Sequence, residues 1–451
     1  MVSRYHVIFV IASAVGALSL AAIITLIVLW FTILTPFQDY ALVVDAGSSH
    51  SKIFLYTWPA DKSDGLGTTS RVNQVYSYEA PGGPLSSVNG TTVNGVKQYF
   101  DLAMTNCLNQ IPSTRKSRTL IFLGATAGLR LFNITNSSFI SDLLNSTRSY
   151  FSTLGVLFRS PESQVRIIDG SEEGLSGWIS TNILLRELYE NNQPMDTYGV
   201  SDMGGASTQL SFIAPDATNE RYTMNLFDTN YDVYSHSYLC YGQDQLRLIY
   251  QGQLVQQANG SYSIDDPCLQ YGYIEDRSYH DLFSTACARG KYAPSEDLNT
   301  SAIFSFVGTG DYKDCRTIME ERFNNSLCTS SSCSFDNIYQ PVPIPPSIKF
   351  VAISAWYETF SHLARNISII PDENENYNFT SVNLTDIKHA IKAICKQSWS
   401  HVHKPDKHRP CKSKIFLSNS FIEKLFLIFY SIKFYVLIQY INGHYLNMAF
   451  I

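Results

Sequence analysis

Asp45-Ala46-Gly47-Ser48-Ser49 and Asp202-Met203-Gly204-Gly205-Ala206-Ser207 are the stretches on which the reading of this chain turns. Each puts an aspartate at the end of a short apolar run, Ala41–Asp45 and Tyr198–Asp202. A Gly/Ser turn and a second β-rich run follow in both places, Lys52–Trp58 and Gln209–Ile213. Both therefore read as strand, tight loop, strand. The aspartates are 157 positions apart (202 − 45), about one domain length. A repeat at that spacing points to two related lobes, each offering one Asp-Gly-Ser loop to a shared cleft. Gly and Ser favour turns in any case, so the loops taken alone also fit two coincidental hairpins.

Two further strand–helix junctions lie between the loops. Leu120–Leu123 feeds Gly124-Ala125-Thr126-Ala127-Gly128 and then a helix. Val165–Ile168 leads through Glu172-Glu173-Gly174 into a helix running over Trp178 to Leu188. Strands alternating with helices predict an α/β chain. Beyond them, Cys240–Cys333 reads as a disulfide-stapled insertion, Gln340–Pro346 as a proline-rich connection and Ser354–Leu363 as an aromatic helix. Asn366–Asn383 is polar and loop-like.

The loops suit an anion. Backbone N–H groups of tight Gly/Ser turns can surround a phosphate chain without side-chain bulk. Ser48, Ser49, Ser207 and Thr208 add hydroxyls. Asp45 and Asp202, at strand ends, can hold the water shell of a hard cation such as Mg²⁺ or Ca²⁺. Glu173 opens a helix and can accept a proton from an attacking water. On composition alone, Glu172 and Glu173 equally fit the simple task of stabilising a helix N-terminus. Thr126 and Arg130 could touch a terminal phosphate, and Arg130 fits a solvated helix position just as well. There is no GxxxxGK[ST] loop, no GxSxG elbow and no HExxH pair, which disfavours Walker-type ATPases, α/β-hydrolases and zincins.

The 451 residues suit roughly two domains. A formal net charge of −6 and the lack of a long basic run argue against nucleic acid as a partner. No charge interrupts Val7–Leu34, which is longer than the ~20 residues that cross a bilayer. Residues 7–34 thus read as an uncleaved membrane anchor. Arg4 before the run and Asp39 after it put the N-terminus in the cytosol and the rest outside, at the cell surface or in a secretory-pathway lumen. Ten Asn-X-Ser/Thr sequons, beginning at Asn89, Asn133, Asn136, Asn145, Asn259, Asn299, Asn324, Asn366, Asn378 and Asn383, agree with that side and call for surface loops. So do nine cysteines without zinc-site spacing, for which disulfides are the default and the odd count leaves one over.

Four motifs in order carry a family resemblance: DAGSSHS (45–51), GATAGLRL (124–131), GSEEGLSGWISTN (170–182) and SDMGGASTQLSF (201–212). YSHSYLCYG (234–242) and SAWY (354–357) add to it, and the whole covers roughly residues 40 to 400. The chain resembles the ecto-nucleoside triphosphate diphosphohydrolases, or apyrases. The resemblance implies two RNase H-like lobes of the actin–hexokinase superfold behind an N-terminal transmembrane helix. It implies Ca²⁺- or Mg²⁺-dependent attack of water on the terminal phosphate of extracellular ATP or ADP, without a covalent intermediate. By position, Glu173 is the expected base, and Asp45 and Asp202 hold the metal through water. Ser48, Ser49, His50, Thr126, Gly204, Gly205, Ala206 and Ser207 fall on phosphate-loop positions. Gln209 helps place the water, Arg130 and Trp178 take phosphate or structural roles, and Trp356 or Tyr357 offers a wall for the base. The family pattern also implies the pairs Cys240–Cys287, Cys268–Cys315, Cys328–Cys333 and Cys395–Cys411, leaving Cys107 free.

The expected division is 1–36 stub and anchor, 37–164 first lobe, 165–395 second lobe with the insertion, and 396–451 an atypical tail. That tail is rich in Phe, Ile, Leu, Tyr, Lys and Asn, and Lys424 and Lys433 break its apolar run. It departs from the returning terminal segment and second span of the family, and reads like translated noncoding sequence from a splice variant or gene-model error. The alternative expectation is therefore a truncated variant that binds nucleotide or a partner without turnover. The oligomeric state is left open.

Overall fold

The computed structural model describes residues 4–29, 38–60, 72–88, 90–185, 187–188, 193–292, 300–323, 328–363 and 384–402. Helix α1 (Arg4–Leu29) carries the N-terminal apolar run. Its stretch His6–Leu29 is long and apolar enough to cross a membrane, and none of it is buried against the rest of the chain. The expected residues 30–34 of the anchor, and most of the tail with Cys411, lie outside the described residues.

The first lobe is built on β1 (Gln38–Ala46), β2 (Ser51–Pro59), β3 (Asn73–Glu79), β4 (Leu120–Ala125) and β5 (Val165–Ile167). Their order in the sheet is β3-β2-β1-β4-β5. The tight turn makes β1 and β2 an antiparallel pair, while β4 and β5 run parallel to β1. Leu42, Val44, Ile53 and Leu55 have no exposed surface. They alternate along the strands and fill one core with α2 (Val93–Leu108), α3 (Ala127–Thr135) and α4 (Ser137–Phe151).

Helix α5 (Gly170–Leu184) opens the second lobe, followed by β6 (Gly199–Met203), β7 (Ser207–Ile213), β8 (Arg221–Leu226) and β9 (Thr229–Leu239). Helix α6 (Gln243–Gln257) leads to a small sheet of β10 (Ser263–Asp266), β11 (Ile274–Ser278) and β12 (Ile303–Gly308). Strand β13 (Phe350–Ser354) then returns to lie parallel to β6, giving the order β13-β6-β7-β9-β8. The hairpin β6/β7 repeats β1/β2, each with a parallel strand beside its first member. The duplication read from the two loops is real, and the fold is the α/β actin–hexokinase type.

Three expectations need correction. The lobe boundary at 164/165 cuts β5 from its sheet: Val165–Ile167 pairs with β4, so the lobes meet between Ile167 and Gly170. The helix over Trp178 ends at Leu184, not Leu188. Sequon asparagines Asn133 and Asn145 sit in helices rather than loops, although these two, Asn136 and Asn259 are all exposed as glycans require. Cysteine pairs Cys240–Cys287, Cys268–Cys315 and Cys328–Cys333 form as expected, and Cys107 is buried and free. Cys240–Cys287 thus ties the insertion to the end of β9, and Cys268–Cys315 joins the turn after β10 to the helix Tyr312–Arg322, each bridge spanning 47 residues.

Candidate active site

Asp45 lies near the C-terminal end of β1, opposite Lys52 on β2 and Gly124 on β4. Asp202 holds the matching place on β6, opposite Gln209 on β7 and Ile353 on β13. In both lobes the hairpin forces the chain to turn just after the aspartate. The turns therefore project from the same end of each sheet. They meet: a β-carbon on Gly205 would come within 2.6 Å of Ser48 Oγ and 2.7 Å of Asp244 Oδ2. Gly128, in the first turn of α3, packs as tightly, since a β-carbon there would lie 2.7 Å from Ser48 Cα. At Gly128 the neighbour is backbone, so only glycine allows that approach, while at Gly205 the ends of two side chains would have to move.

The second loop is locked from behind. Gly204 N–H donates to Ser207 O (2.9 Å), Cys240 N–H to Ala206 O (2.9 Å) and Asp244 N–H to Gly205 O (2.9 Å). Ser207 is 2% exposed. Its Oγ accepts from Gln209 Nε2 at 2.7 Å, and the same amide donates to Ser237 Oγ at 2.9 Å. The first loop is more open. Ser49 and His50 are exposed, with Ser49 Oγ 2.9 Å from His50 Nδ1. Thr126 caps the start of α3, where unpaired helix N–H groups favour an anion, and its own N–H donates to Ala46 O at 3.2 Å.

Glu173 comes from the first turn of α5, whose N-cap Asp169 accepts from Ser171 N–H. Ser235 Oγ on β9 donates to Ser171 O at 2.8 Å, pinning that turn to the sheet. Glu173 is only 7% exposed and its carboxylate accepts from Arg130 Nη2. Arg130, from α3 of the other lobe, also reaches Ser207 Oγ at 3.4 Å. One guanidinium therefore joins both lobes and both halves of the site.

Burial governs the electrostatics. It pushes the Glu173 carboxyl up to about 8; Arg130 opposes this, and the charges of Asp202 and Asp45 add to it. Asp45 is pushed up to about 7 by burial and then by the charge of Asp202, with Lys52 pulling the other way. Asp202 is raised by burial, against a hydrogen bond from the Ser354 hydroxyl. Oδ1 of Asp45 is shut from solvent and accepts no hydrogen bond. Buried carboxylates crowded this way want a cation.

The family's sequence pattern, that of the GDA1/CD39 (nucleoside phosphatase) family, matches residues 34–433. The chain belongs to that family. As a GDA1/CD39 nucleoside phosphatase it is a hydrolase. The match runs past Cys411 into the stretch expected to depart from the family. Ectonucleoside triphosphate diphosphohydrolase 3 of Mus musculus is 33% identical over 382 residues, 82% of this chain and 67% of that protein. Ectonucleoside triphosphate diphosphohydrolase 2 of Homo sapiens is 32% identical over 376 residues, 81% of this chain and 70% of that protein. The crystal structure of nucleoside triphosphate hydrolases from Neospora caninum superposes with a TM-score of 0.59 at 15% identity over 88% of each chain, which shows the shared fold.

Within this phosphatase the structure gathers Asp45, Ser48, Thr126, Arg130, Glu173, Asp202, Gly204, Gly205, Ala206, Ser207 and Gln209 at one end of the two sheets. Trp356 does not join them. It is 1% exposed in the second-lobe core, with Nε1 donating to Ser201 Oγ at 3.1 Å, so it has no face to offer a base. Tyr357 is half-buried against that core. Trp178 is wholly buried beside Tyr231, a structural role. Two neighbours were not singled out from sequence. Asp244 reaches Gly205 from the start of α6, and Ser354 bonds Asp202 from a backbone with φ of 63°. Asp244 had no signal in sequence, and Ser354 opens the SAWY stretch without a role assigned to it, because their proximity comes from the return of β9 and β13.

Proposed function

We propose that this chain hydrolyses nucleoside tri- and diphosphates, ATP and ADP among them, to the monophosphate and phosphate. The observation that carries the reading is Arg130, which reaches from the first lobe to both Glu173 and Ser207 of the second. A divalent cation, Ca²⁺ or Mg²⁺, fits between Asp45 and Asp202, where an unbonded buried carboxylate oxygen and a donor set of hard oxygens favour it. Such an ion, when bound, offsets charge on the phosphates.

The chain's own residues do the rest. Backbone amides and hydroxyls of the two loops hold the phosphates in line. Gln209 and Ser207 orient the attacking water, and Glu173 takes its proton. A base poised near neutrality does this best. Arg130 keeps Glu173 oriented and steadies negative charge gathering on the transferred phosphoryl group. The anchor and sequons support an extracellular or lumenal active site with the N-terminus in the cytosol.

Phosphate release from ATP and ADP by the full chain in detergent tests the proposal. Release abolished by EDTA and by Glu173→Gln is expected. Nucleotide binding without release would overturn it in favour of a binding variant. Protease protection of sealed vesicles checks the orientation: cleavage of the catalytic lobes from the cytosolic side would reverse it.

A further inference from the structure

A cavity of mixed polar and apolar lining lies at the opposite end of the first sheet. It measures about 380 Å³ and is lined by Asp39, Trp58, Leu120, Leu157, Arg118 and Arg159, with Ser117 at its side. Asp39 and Trp58 face each other across β1 and β2. Leu120 begins β4 and bridges to Leu157. Asp45 is six steps along β1 from Asp39 (45 − 39), which at ~3.3 Å per residue is about 20 Å. The cavity is therefore not part of the nucleotide site.

Its charge balance favours an anion. Asp39 is already engaged, with Arg115 at 3.8 Å and Arg118 at 3.5 Å. Arg118 is nevertheless largely exposed, and Arg159 is exposed beside it. Two guanidiniums with forked donors match the oxygens of a phosphate. Trp58 and the two leucines add an apolar and aromatic side, the mixture that settles at a membrane–water boundary.

Connectivity says which phosphate is near. Nine steps of chain join Leu29, the end of the membrane-length helix, to Gln38 at the start of β1. Fully extended they span about 30 Å, so the N-terminal end of β1 stays near the bilayer surface. We infer that this cavity binds the phosphodiester headgroup of a phospholipid in the outer leaflet, with Arg118 and Arg159 on the phosphate and Trp58 toward the glycerol. The inference rests on the proposed membrane orientation. It would hold the first lobe against the bilayer with its catalytic end turned away.

The test uses the full chain in dodecyl maltoside, without nucleotide and with EDTA. Phosphatidylcholine is titrated into the micelles and the thermal midpoint is followed. A saturating rise is expected, with the half-saturating lipid concentration about tenfold higher in Arg118→Ala/Arg159→Ala. That variant leaves Asp39 with Arg115, so its lipid-free midpoint and its phosphate release should match the parent. Should it fail to fold, Arg159→Glu alone is read in the same way. Equal stabilisation of parent and variant overturns the inference. So does a rise of the same size with inorganic phosphate that the variant also loses, which would make this a free-anion site. Phosphate release is read separately, so a failed lipid titration leaves the proposed hydrolysis standing.

Discussion

Ser207 of the second-lobe loop is buried, bonded by Gln209 and reached by Arg130, whereas Ser49 of the first-lobe loop is exposed and, among the described residues, its hydroxyl bonds its neighbour His50. The same Asp-Gly-Ser pattern has been built to two stiffnesses. In the second lobe, backbone bonds from Cys240 and Asp244 fix the loop before any ligand arrives. In the first, Ser48 packs against Gly205 and Gly128, but the Ser49 hydroxyl stands in water and must be ordered by what it binds. A fixed loop costs nothing to organise at the moment of reaction and can hold the transition state. An open loop admits substrate and gives up part of its binding energy to ordering. The second loop should therefore govern turnover and the first should govern affinity.

The sharpest way to break this division is at Glu173, which belongs to the fixed half. Glu173→Gln should lower turnover about 10³-fold with KM little changed, measured by phosphate release. Gly205→Ala comes next. Its methyl must displace Ser48 Oγ and Asp244 Oδ2, so about a 100-fold loss of kcat/KM is expected, with the fold intact by circular dichroism.

Paired serine variants sharpen the comparison directly. Ser207→Ala leaves Gln209 without one of its two acceptors and should cost roughly 10- to 30-fold, mostly in turnover. Ser49→Ala should raise KM about fivefold and leave turnover alone. Equal effects on the same parameter would mean the loops are equivalent after all.

The smallest effect is on stability. Asp45 and Glu173 bind their protons more tightly folded than unfolded, at about 7 and about 8 against ordinary values of 3.8 and 4.5. The unfolded chain thus loses these protons first as pH rises. Their contribution favours folding below about pH 4 and is lost progressively up to about pH 8. In EDTA, Asp45→Asn should raise the thermal midpoint at pH 7.5 by about 1–3 °C, and the gain should vanish near pH 4. A divalent cation should stabilise the parent more than the variant.

Much of the site was legible because its chemistry is local. An aspartate at a strand end, a Gly/Ser turn and an acid in the first turn of a helix are all contiguous patterns, and they located Asp45, Asp202 and Glu173. Arg130 was left undecided between phosphate contact and solvent, since its partner lies 43 positions away. Trp356 and Tyr357 could not be separated: adjacent residues on a helix point about 100° apart, and sequence does not say which points inward. The strand read as Val165–Ile168 forms over Val165–Ile167 but pairs in the first lobe's sheet, because strand membership is a matter of pairing across distance.

The sequence by itself supplied two similar Asp-Gly-Ser loops, an α/β alternation behind a membrane-length helix, and an acid in the first turn of a helix. These follow from short-range pattern and backbone propensity. Only the tertiary structure decided that the copies meet, that one is fixed and the other open, and that Trp356 belongs to the core. Those outcomes depend on how two sheets pack and on which polar atoms are left within hydrogen-bond reach, and no local stretch of chain encodes either.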